Sequence, residues 1–206
     1  MELVTQKQNK RLVNEKKKRR FTTKEIVFIG LLSALAYVLM LLESPPFIGF
    51  LRLEFSNIPA IVGAFSYGPM AGVLIELIKN LIKAITASKT AFVGELANFI
   101  ISVAYVVPAS IFIRKLTGKY KTLMTFALAT ISMTIIGFIM NYFVLVPMYA
   151  NLYGGMDGIL AAATMIPGIN DKFTLILYGI TPFNLVKGIF ISVVGYYTYK
   201  GVRRIL

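Results

Sequence analysis

Apolar runs, separated by short polar or proline-containing segments, make up the chain after its first twenty residues. The runs lie at about 26–42, 57–67, 69–81, 92–113, 123–146 and 173–199. A helix needs about 20 mainly apolar residues to cross a bilayer core of about 30 Å, and the longer runs meet that length. The pattern predicts an all-α integral membrane protein with six transmembrane helices.

The breaks between these runs contain residues that end helices. Two consecutive prolines end the first run, and the alternating apolar segment 43–56 is predicted to be an extended extracellular loop that packs back on the protein. Gly68 followed by Pro69 predicts two short helices joined by a turn, with the proline in the first turn of the second. We expect Pro147 to stop the fifth helix and residues 148–172 to be irregular.

Composition agrees with lipid as the solvent. Hydrophobic residues make up 57% of the chain and charged residues only 15%, against about 25% charged in a soluble domain. The net charge of +13 is concentrated in the first twenty residues, in 114–121 and at the C-terminus. Cytoplasmic flanks hold positive charge, so both termini are predicted to be cytoplasmic, with a basic tail (1–22) and a six-helix substrate-binding domain (23–206).

The basic run Lys16–Arg20 also fits a nuclear signal or an RNA-binding arm. A membrane span begins a few residues later, which favours a flank attracted to anionic lipid. We therefore expect a multi-pass protein of the cell membrane with no nucleic-acid partner.

Several kinds of chemistry are excluded by the residues that the sequence lacks. It has no cysteine and no histidine, which removes disulfides, thiolate catalysis and the commonest general base and metal ligand. No phosphate-binding loop of the G-x-x-x-x-G-K-[ST] type is present. We expect no metal, no resident cofactor and no ATP hydrolysis by this chain alone.

A few polar residues lie inside the predicted spans, where a charge costs about 2.5–3.5 kcal/mol on insertion scales. Glu95 and Asn98 are three residues apart, as are Asn184 and Lys187, so each pair shares a helix face; Asn141 lies in the fifth span. These groups could satisfy one another as contacts between helices. We favour a ligand cavity reached from outside, because they gather in the outer halves of the spans near the aromatic loops.

Two further patterns remain open. Glu76, Lys79 and Lys83 lie in the third segment, and snorkelling of the two lysines to the outer interface explains them as well as ligand binding does. Gly30 and Ala34 in the first span are four residues apart, a spacing of small residues that lets two helices approach closely. It serves either packing within the protein or docking of another subunit.

Four sequence stretches in this order resemble the substrate-binding S components of energy-coupling factor (ECF) transporters, specifically those for riboflavin. The stretches are 53–69, 75–82, 94–100 and 182–188. The resemblance extends from about residue 24 to 200. It implies a six-helix protein, not an enzyme, that captures a vitamin from outside and works with a membrane coupling subunit and two cytoplasmic ATPases.

The same resemblance implies roles for individual residues. Gly30 and Ala34 would dock on the coupling subunit, and Asn141, Asn184 and Lys187 would hold riboflavin. We add Glu95 and Asn98 to the site from their spacing alone. The flat flavin ring also needs apolar and aromatic walls, for which the sequence offers four candidates: Phe50, Phe55, Tyr142 and Tyr178.

Two alternatives stay open. The chain could be an S component for another vitamin, or a membrane scaffold or enzyme without a transport role. Thiamin is disfavoured, because its cationic ring calls for acidic and tryptophan partners and the sequence has no tryptophan.

Overall fold

The computed structural model describes residues 21–47, 51–163 and 166–202, most of which are helical. The helices are α1 (Thr23–Leu41), α2 (Asn57–Tyr67), α3 (Pro69–Ala87), α4 (Val93–Lys115), α5 (Lys121–Met140), α6 (Val146–Leu152), α7 (Met156–Ala162), α8 (Lys172–Thr174) and α9 (Thr181–Val202). Two π-helical segments, π1 (Asn141–Leu145) and π2 (Leu175–Ile180), join α5 to α6 and α8 to α9. Phe50 and all but the last two residues of the predicted tail lie outside the described residues.

Within the described residues, four helical stretches are long and apolar enough to cross a membrane. They are Thr23–Leu41, Val93–Lys115, Lys121–Leu152 and Lys172–Gly201. Large apolar side chains are exposed along them, as lipid contact requires; Leu31, Ile135 and Val193 are each more than half exposed. These helices confirm the all-helical membrane class, whereas the six-span arrangement and the cytoplasmic termini stay predictions.

The turn between α2 and α3 is as predicted. Gly68 has φ 105°, a conformation that favours glycine because it has no Cβ, and Pro69 begins α3. The third segment is longer than expected, since α3 continues to Ala87. Its polar residues at positions 76, 79, 80 and 83 recur at helical spacing and are all buried, so α3 packs inside the bundle.

The prediction that Pro147 stops the fifth helix was wrong. The helix passes through π1 and continues as α6 to Leu152, and α7 follows within the segment predicted to be irregular. In π1 the backbone N–H of Val146 donates to the carbonyl of Asn141, one residue beyond the usual partner. This wider turn accommodates the proline, which has no N–H of its own to satisfy.

The two core clusters lie at different levels of the bundle. The first contains residues from each of the helices α1 through α5 and from α9, with Ile61, Tyr105 and Met133 among its fully buried members. The second is built by π1, α6, α7 and π2 around Leu145 and Ile176. The polar residues described next lie beside this second cluster, at the end of the bundle opposite the chain termini.

Candidate functional site

Polar side chains from six parts of the chain meet at one end of the bundle and line two adjoining cavities. The amide cavity, of about 80 Å³, is lined by Leu51, Arg52, Gly94, Ala97, Asn98, Ile101, Asn141, Tyr149, Ile180, Phe183, Asn184 and Lys187. The charged cavity, of about 100 Å³, is lined by Met40, Glu43, Arg52, Glu54, Lys83, Lys89, Thr90, Gly94, Glu95, Asn98 and Tyr149. Four residues belong to both linings, so the cavities form one connected region.

The amide cavity brings together four of the predicted site residues. Asn98 comes from the first turns of α4, Asn141 from the start of π1, and Asn184 and Lys187 from one face of α9. Three amide side chains and one ammonium group therefore line the same space. Asn184 and Lys187 face the cavity together because they are three residues apart on α9, and Asn141 at the start of π1 faces the same cavity.

Close contact between α5 and α9 fixes two of these amides. Asn141 Nδ2 donates to the carbonyl of Gly137 at 2.7 Å. A Cβ on Gly137 would lie 2.7 Å from Asn184 Nδ2, so a larger residue there would displace the Asn184 amide. Asn184 Nδ2 is buried without a hydrogen-bond partner among the described residues, which leaves it a donor that a ligand or water could use.

Glu54 connects the polar residues of the cavity, and sequence reasoning did not select it. Its Oε1 lies 3.5 Å from Lys187 Nζ and accepts a hydrogen bond from Asn98 Nδ2. Burial alone would raise the pKa of this carboxyl, but the charges of Lys187 and Lys79 hold the pKa below its ordinary value. Glu54 is an acid in a mainly apolar segment that leads directly into α2. That pattern was the signal that could have identified it.

Glu43 holds the 43–56 loop against the bundle. Its carboxylate lies 2.9 Å from both Lys83 Nζ and Lys89 Nζ, and 3.5 Å from Arg52 Nη1. Burial raises the pKa of Glu43, but Lys89 and Lys83 outweigh that effect and lower it below its ordinary value. The N–H of Ser44 donates to the carbonyl of Leu53 at 2.9 Å, and Arg52 lines both cavities, so the described part of the loop packs back on the protein as predicted.

Glu95 lies in the charged cavity rather than with the amides. Its Oε2 accepts hydrogen bonds from Ser88 Oγ at 3.0 Å and Thr90 Oγ1 at 3.4 Å. These contacts stabilise the turn between α3 and α4, where Phe92 has a positive φ of 70°. The carboxylate is thus already engaged by its own loop, and Asn98 alone of this pair reaches the amide cavity.

Three of the four aromatic residues predicted for the site lie outside both cavities, and the fourth, Phe50, lies outside the described residues. Phe55 is 43% exposed and packs on Phe190, with ring centroids 5.2 Å apart. Tyr142 stacks on Phe138, and Tyr178 is 53% exposed. None of the three lines either cavity. The reason is orientation: neighbours in sequence point inward instead, Glu54 beside the first and Asn141 beside the second.

Tyr149 and Phe183 provide the aromatic lining that the structure does contain. Phe47 of the loop lies beside Phe183, with ring centroids 6.3 Å apart and planes inclined by 29°. Offset stacking of this kind is favourable for aromatic pairs. A flat ring entering the cavity from the loop side would meet these rings.

The lysines of α3 do not snorkel to the interface. Lys79 is fully buried, lies 2.7 Å from Glu76, and donates to Ser56 Oγ at 2.6 Å. Lys83 is 8% exposed and pairs with Glu43. Glu76 and Glu43 pair with the two ammonium groups and keep them buried in the protein. The snorkelling interpretation was therefore wrong.

Gly30 and Ala34 both lie on the exposed face of α1. A Cβ on Gly30 would meet nothing within 4 Å, whereas Ser33 and Ala36 face the core. The small-residue pair therefore makes no internal packing contact of the kind that its spacing allows. It forms a shallow outward surface along the first span.

Comparison with known proteins agrees with this architecture. Residues 24–199 match the family described as ECF transporter, substrate-specific component. The riboflavin transporter FmnP of Bacillus subtilis is 35% identical over 83% of this chain and 87% of its own length. The riboflavin transporter RibU of Staphylococcus aureus is 34% identical over 89% of this chain and 92% of its own length.

A solved structure, the S component of a bacterial ECF transporter, has the same fold. It superposes with a TM-score of 0.71 at 33% identity, covering 88% of this chain and 96% of its own. Both the family match and the similar structure cover nearly all of the membrane domain. The chain is therefore an integral membrane protein of the family of substrate-specific components of ECF transporters, whose role is binding in transport and not catalysis.

Proposed function

We propose that this chain captures riboflavin from the extracellular side for ATP-driven uptake. The observation that carries the proposal is the convergence of Asn98, Asn141, Asn184 and Lys187 on one cavity. The names of the relatives from B. subtilis and S. aureus support riboflavin as the ligand. Riboflavin is the transported ligand here, and the proposal includes no metal and no resident cofactor.

The chemistry of riboflavin suits this lining. The edge of its isoalloxazine ring carries carbonyl acceptors, ring nitrogens and one N–H donor, and amide side chains can both donate and accept. Asn184 Nδ2 is a buried donor still to be used, and Lys187 adds a cationic donor. Phe183 and Tyr149 offer apolar faces for the ring, and Arg52 and Glu54 lie where ribityl hydroxyls could bind.

The loop must move for the ligand to enter. The cavities have volumes of about 80 and 100 Å³, whereas sites for ligands of this size have roughly 300–1,000 Å³. The Glu43 ion pairs are among the contacts that hold this loop over the region, together with those of Glu54. We propose that the loop opens toward the extracellular side and closes over bound riboflavin.

The topology and partners follow from the same proposal. Six spanning segments with both termini in the cytoplasm would put the cavity, which lies opposite the termini, at the outer surface. The basic residues near the termini and in 114–121 support this orientation. Gly30 and Ala34 would contact a membrane coupling subunit, which two cytoplasmic ATPases drive, and their exposure on α1 supports that role.

Titration of the detergent-purified protein with riboflavin tests the proposal, with quenching of flavin fluorescence as the signal. We expect saturable quenching, and about ten- to hundredfold weaker binding for Asn184→Ala and for Lys187→Ala, because hydrogen bonds involving charged or buried groups contribute about 1–3 kcal/mol. Asn151→Ala is the matched control, since Asn151 is exposed and outside both cavities. Riboflavin fluorescence that the wild-type protein leaves unchanged would refute the assignment.

A further inference from the structure

Two more cavities adjoin at the opposite end of the bundle, near the chain termini. The basic cavity, of about 440 Å³, contains Arg114, Lys121 and Lys200. The apolar groove, of about 560 Å³, lies between α5 and α9. Thr122, Phe126 and Tyr196 belong to both linings, so the groove opens directly into the basic cavity.

Among the described residues, the cations of the basic cavity have no acidic partners. Arg114 lies in the last turn of α4, Lys121 begins α5 and Lys200 lies in the last turn of α9. Within the described part of the chain, no carboxylate lies within ion-pair distance of any of them. Three positive charges thus line one cavity, and no carboxylate of the described residues pairs with them.

Arg114 is held in place by the backbone. Its Nη2 donates to the carbonyls of Ala64 at 3.0 Å and Phe65 at 2.9 Å, near the C-terminal end of α2. A guanidinium has five N–H donors in a planar fork, so further donors remain after these two bonds. A fixed guanidinium beside two lysines is the arrangement that binds phosphate oxygens well.

The groove has the chemistry and the length for an acyl chain. Its lining is almost wholly apolar, and Leu123, Ile131, Ile189 and Val193 are each about half exposed or more. From Thr122 to Ile131 the helix α5 rises by about 14 Å. That length matches one leaflet, which is about half of a hydrocarbon core of about 30 Å.

We propose that this surface is a binding site for an anionic phospholipid of the cytoplasmic leaflet. The phosphate lies among Arg114, Lys121 and Lys200, and one acyl chain lies in the groove between α5 and α9. Basic pockets between membrane helices on the cytoplasmic side bind anionic headgroups. A partner helix could fill the apolar groove, but it would leave the three cations unpaired, whereas a phospholipid satisfies both parts.

Native mass spectrometry of the full-length protein tests the site. The protein is released from detergent after exposure to an equal mixture of phosphatidylglycerol and phosphatidylethanolamine. Lys121→Gln with Lys200→Gln removes headgroup charge, and Ala127→Trp fills the groove that Ala127 lines. Arg114 is left unchanged because it also binds α2. We expect selective retention of phosphatidylglycerol, reduced about tenfold or more by either variant.

Matched controls separate a specific site from general attraction to the membrane. Lys115→Gln with Lys119→Gln removes the same charge at the same end but outside the basic cavity, and Ile135→Trp adds the same ring on α5 outside the groove. Both are expected to retain phosphatidylglycerol. Equal retention of the two lipids, equal losses in test and control variants, or unchanged retention in both test variants would overturn the proposal.

Riboflavin titration of the same preparations shows that the variants are folded, since the two sites lie at opposite ends of the bundle. Loss of assembly with the coupling subunit in Ala127→Trp, without any selective lipid retention by the wild-type protein, would mean that the groove holds a partner helix. That outcome would also contradict the lipid site.

Discussion

The buried ion pair between Glu54 and Lys187 allows a quantitative test of how the cavity is held together. The side chains are 5% and 7% exposed, and Glu54 Oε1 lies 3.5 Å from Lys187 Nζ. We consider Glu54→Gln, Lys187→Met and the double variant. Each single change leaves one buried charge without its partner, whereas the double change leaves neither charge.

The expected loss of stability in each variant depends on which partners the remaining buried charge keeps. Removing one partner of a buried ion pair costs about 3–5 kcal/mol, and the separation of 3.5 Å, long for a charge-assisted bond, favours the low end. Glu54→Gln should cost about 3 kcal/mol. Lys187→Met should cost about 2 kcal/mol, because Glu54 keeps its hydrogen bond from Asn98. The double variant should cost about 2 kcal/mol, which is well below the sum of the costs of the two single variants. The two changes are therefore strongly coupled.

Thermal unfolding in detergent, followed by circular dichroism at 222 nm, measures these differences. Tryptophan fluorescence is not an option, because the sequence has no tryptophan. In a domain of this size, 1 kcal/mol changes Tm by about 2–4 °C, so Glu54→Gln should lower Tm by about 6–12 °C. Lys115→Met, which removes an exposed cation, should leave Tm nearly unchanged.

Additive effects of the two substitutions, within about 0.5 kcal/mol, would refute the argument that these groups are a coupled pair. A neutral Glu54→Gln variant would refute it as well, since Lys187 would then have no need of the carboxylate. Riboflavin affinity of the same variants gives a separate result. Glu54→Gln keeps the amide-lined wall, so its affinity should fall less than that of Lys187→Met.

Three further predictions concern the loop, the close helix contact and the docking surface. Because Lys89 and Lys83 lower the pKa of Glu43 below its ordinary value of 4.5, its ion pairs should persist at that pH. They should be lost as the pH falls through the lowered pKa, and stopped-flow fluorescence should then show faster riboflavin release. Gly137→Ala should weaken riboflavin binding about tenfold or more, because its Cβ would lie 2.7 Å from Asn184 Nδ2. Gly30→Leu with Ala34→Leu should leave riboflavin binding intact and abolish ATP-dependent uptake into proteoliposomes that contain the coupling module.

Each of these predictions has its own control. Glu43→Gln should release riboflavin quickly at every pH, and a pH step that survives in this variant would assign the effect to another group. Gly201→Ala adds the same methyl where nothing lies within 4 Å; an equal loss of affinity there would contradict the role of the Gly137 contact. Normal uptake by the Gly30 and Ala34 double variant would rule out that face as the docking surface.

The sequence predicted the helices well where local patterns decide them. Gly68 and Pro69 carry their own conformational restrictions, so the break between α2 and α3 was visible without any tertiary information. Asn184 and Lys187 share a helix face through their spacing alone. At Pro147 local reasoning failed, because the π-helical turn before it changes the backbone that the proline ring meets.

The site was only partly predictable for a related reason. Polar residues within apolar spans stand out in the sequence, which is how Asn98, Asn141, Asn184 and Lys187 were selected. Glu54 was not selected, because its segment was predicted to be a loop, where an exposed acid has no desolvation cost; only the structure shows that it is buried. The loop residue Phe55 packs on Phe190 instead of lining a cavity, since side-chain direction in an irregular segment is set by what packs beneath it.

The sequence by itself determined that this protein is a helical membrane protein with basic flanks and a few polar groups in its spans. Those properties depend on composition and on the helical period, which are local. Only the tertiary structure decided that Glu54 faces Lys187, that Glu43 holds three cations, and that Tyr178 points outward. These contacts join residues up to 133 positions apart, and the packing of helices around Gly137 and through the two π-helical segments fixes which of them meet.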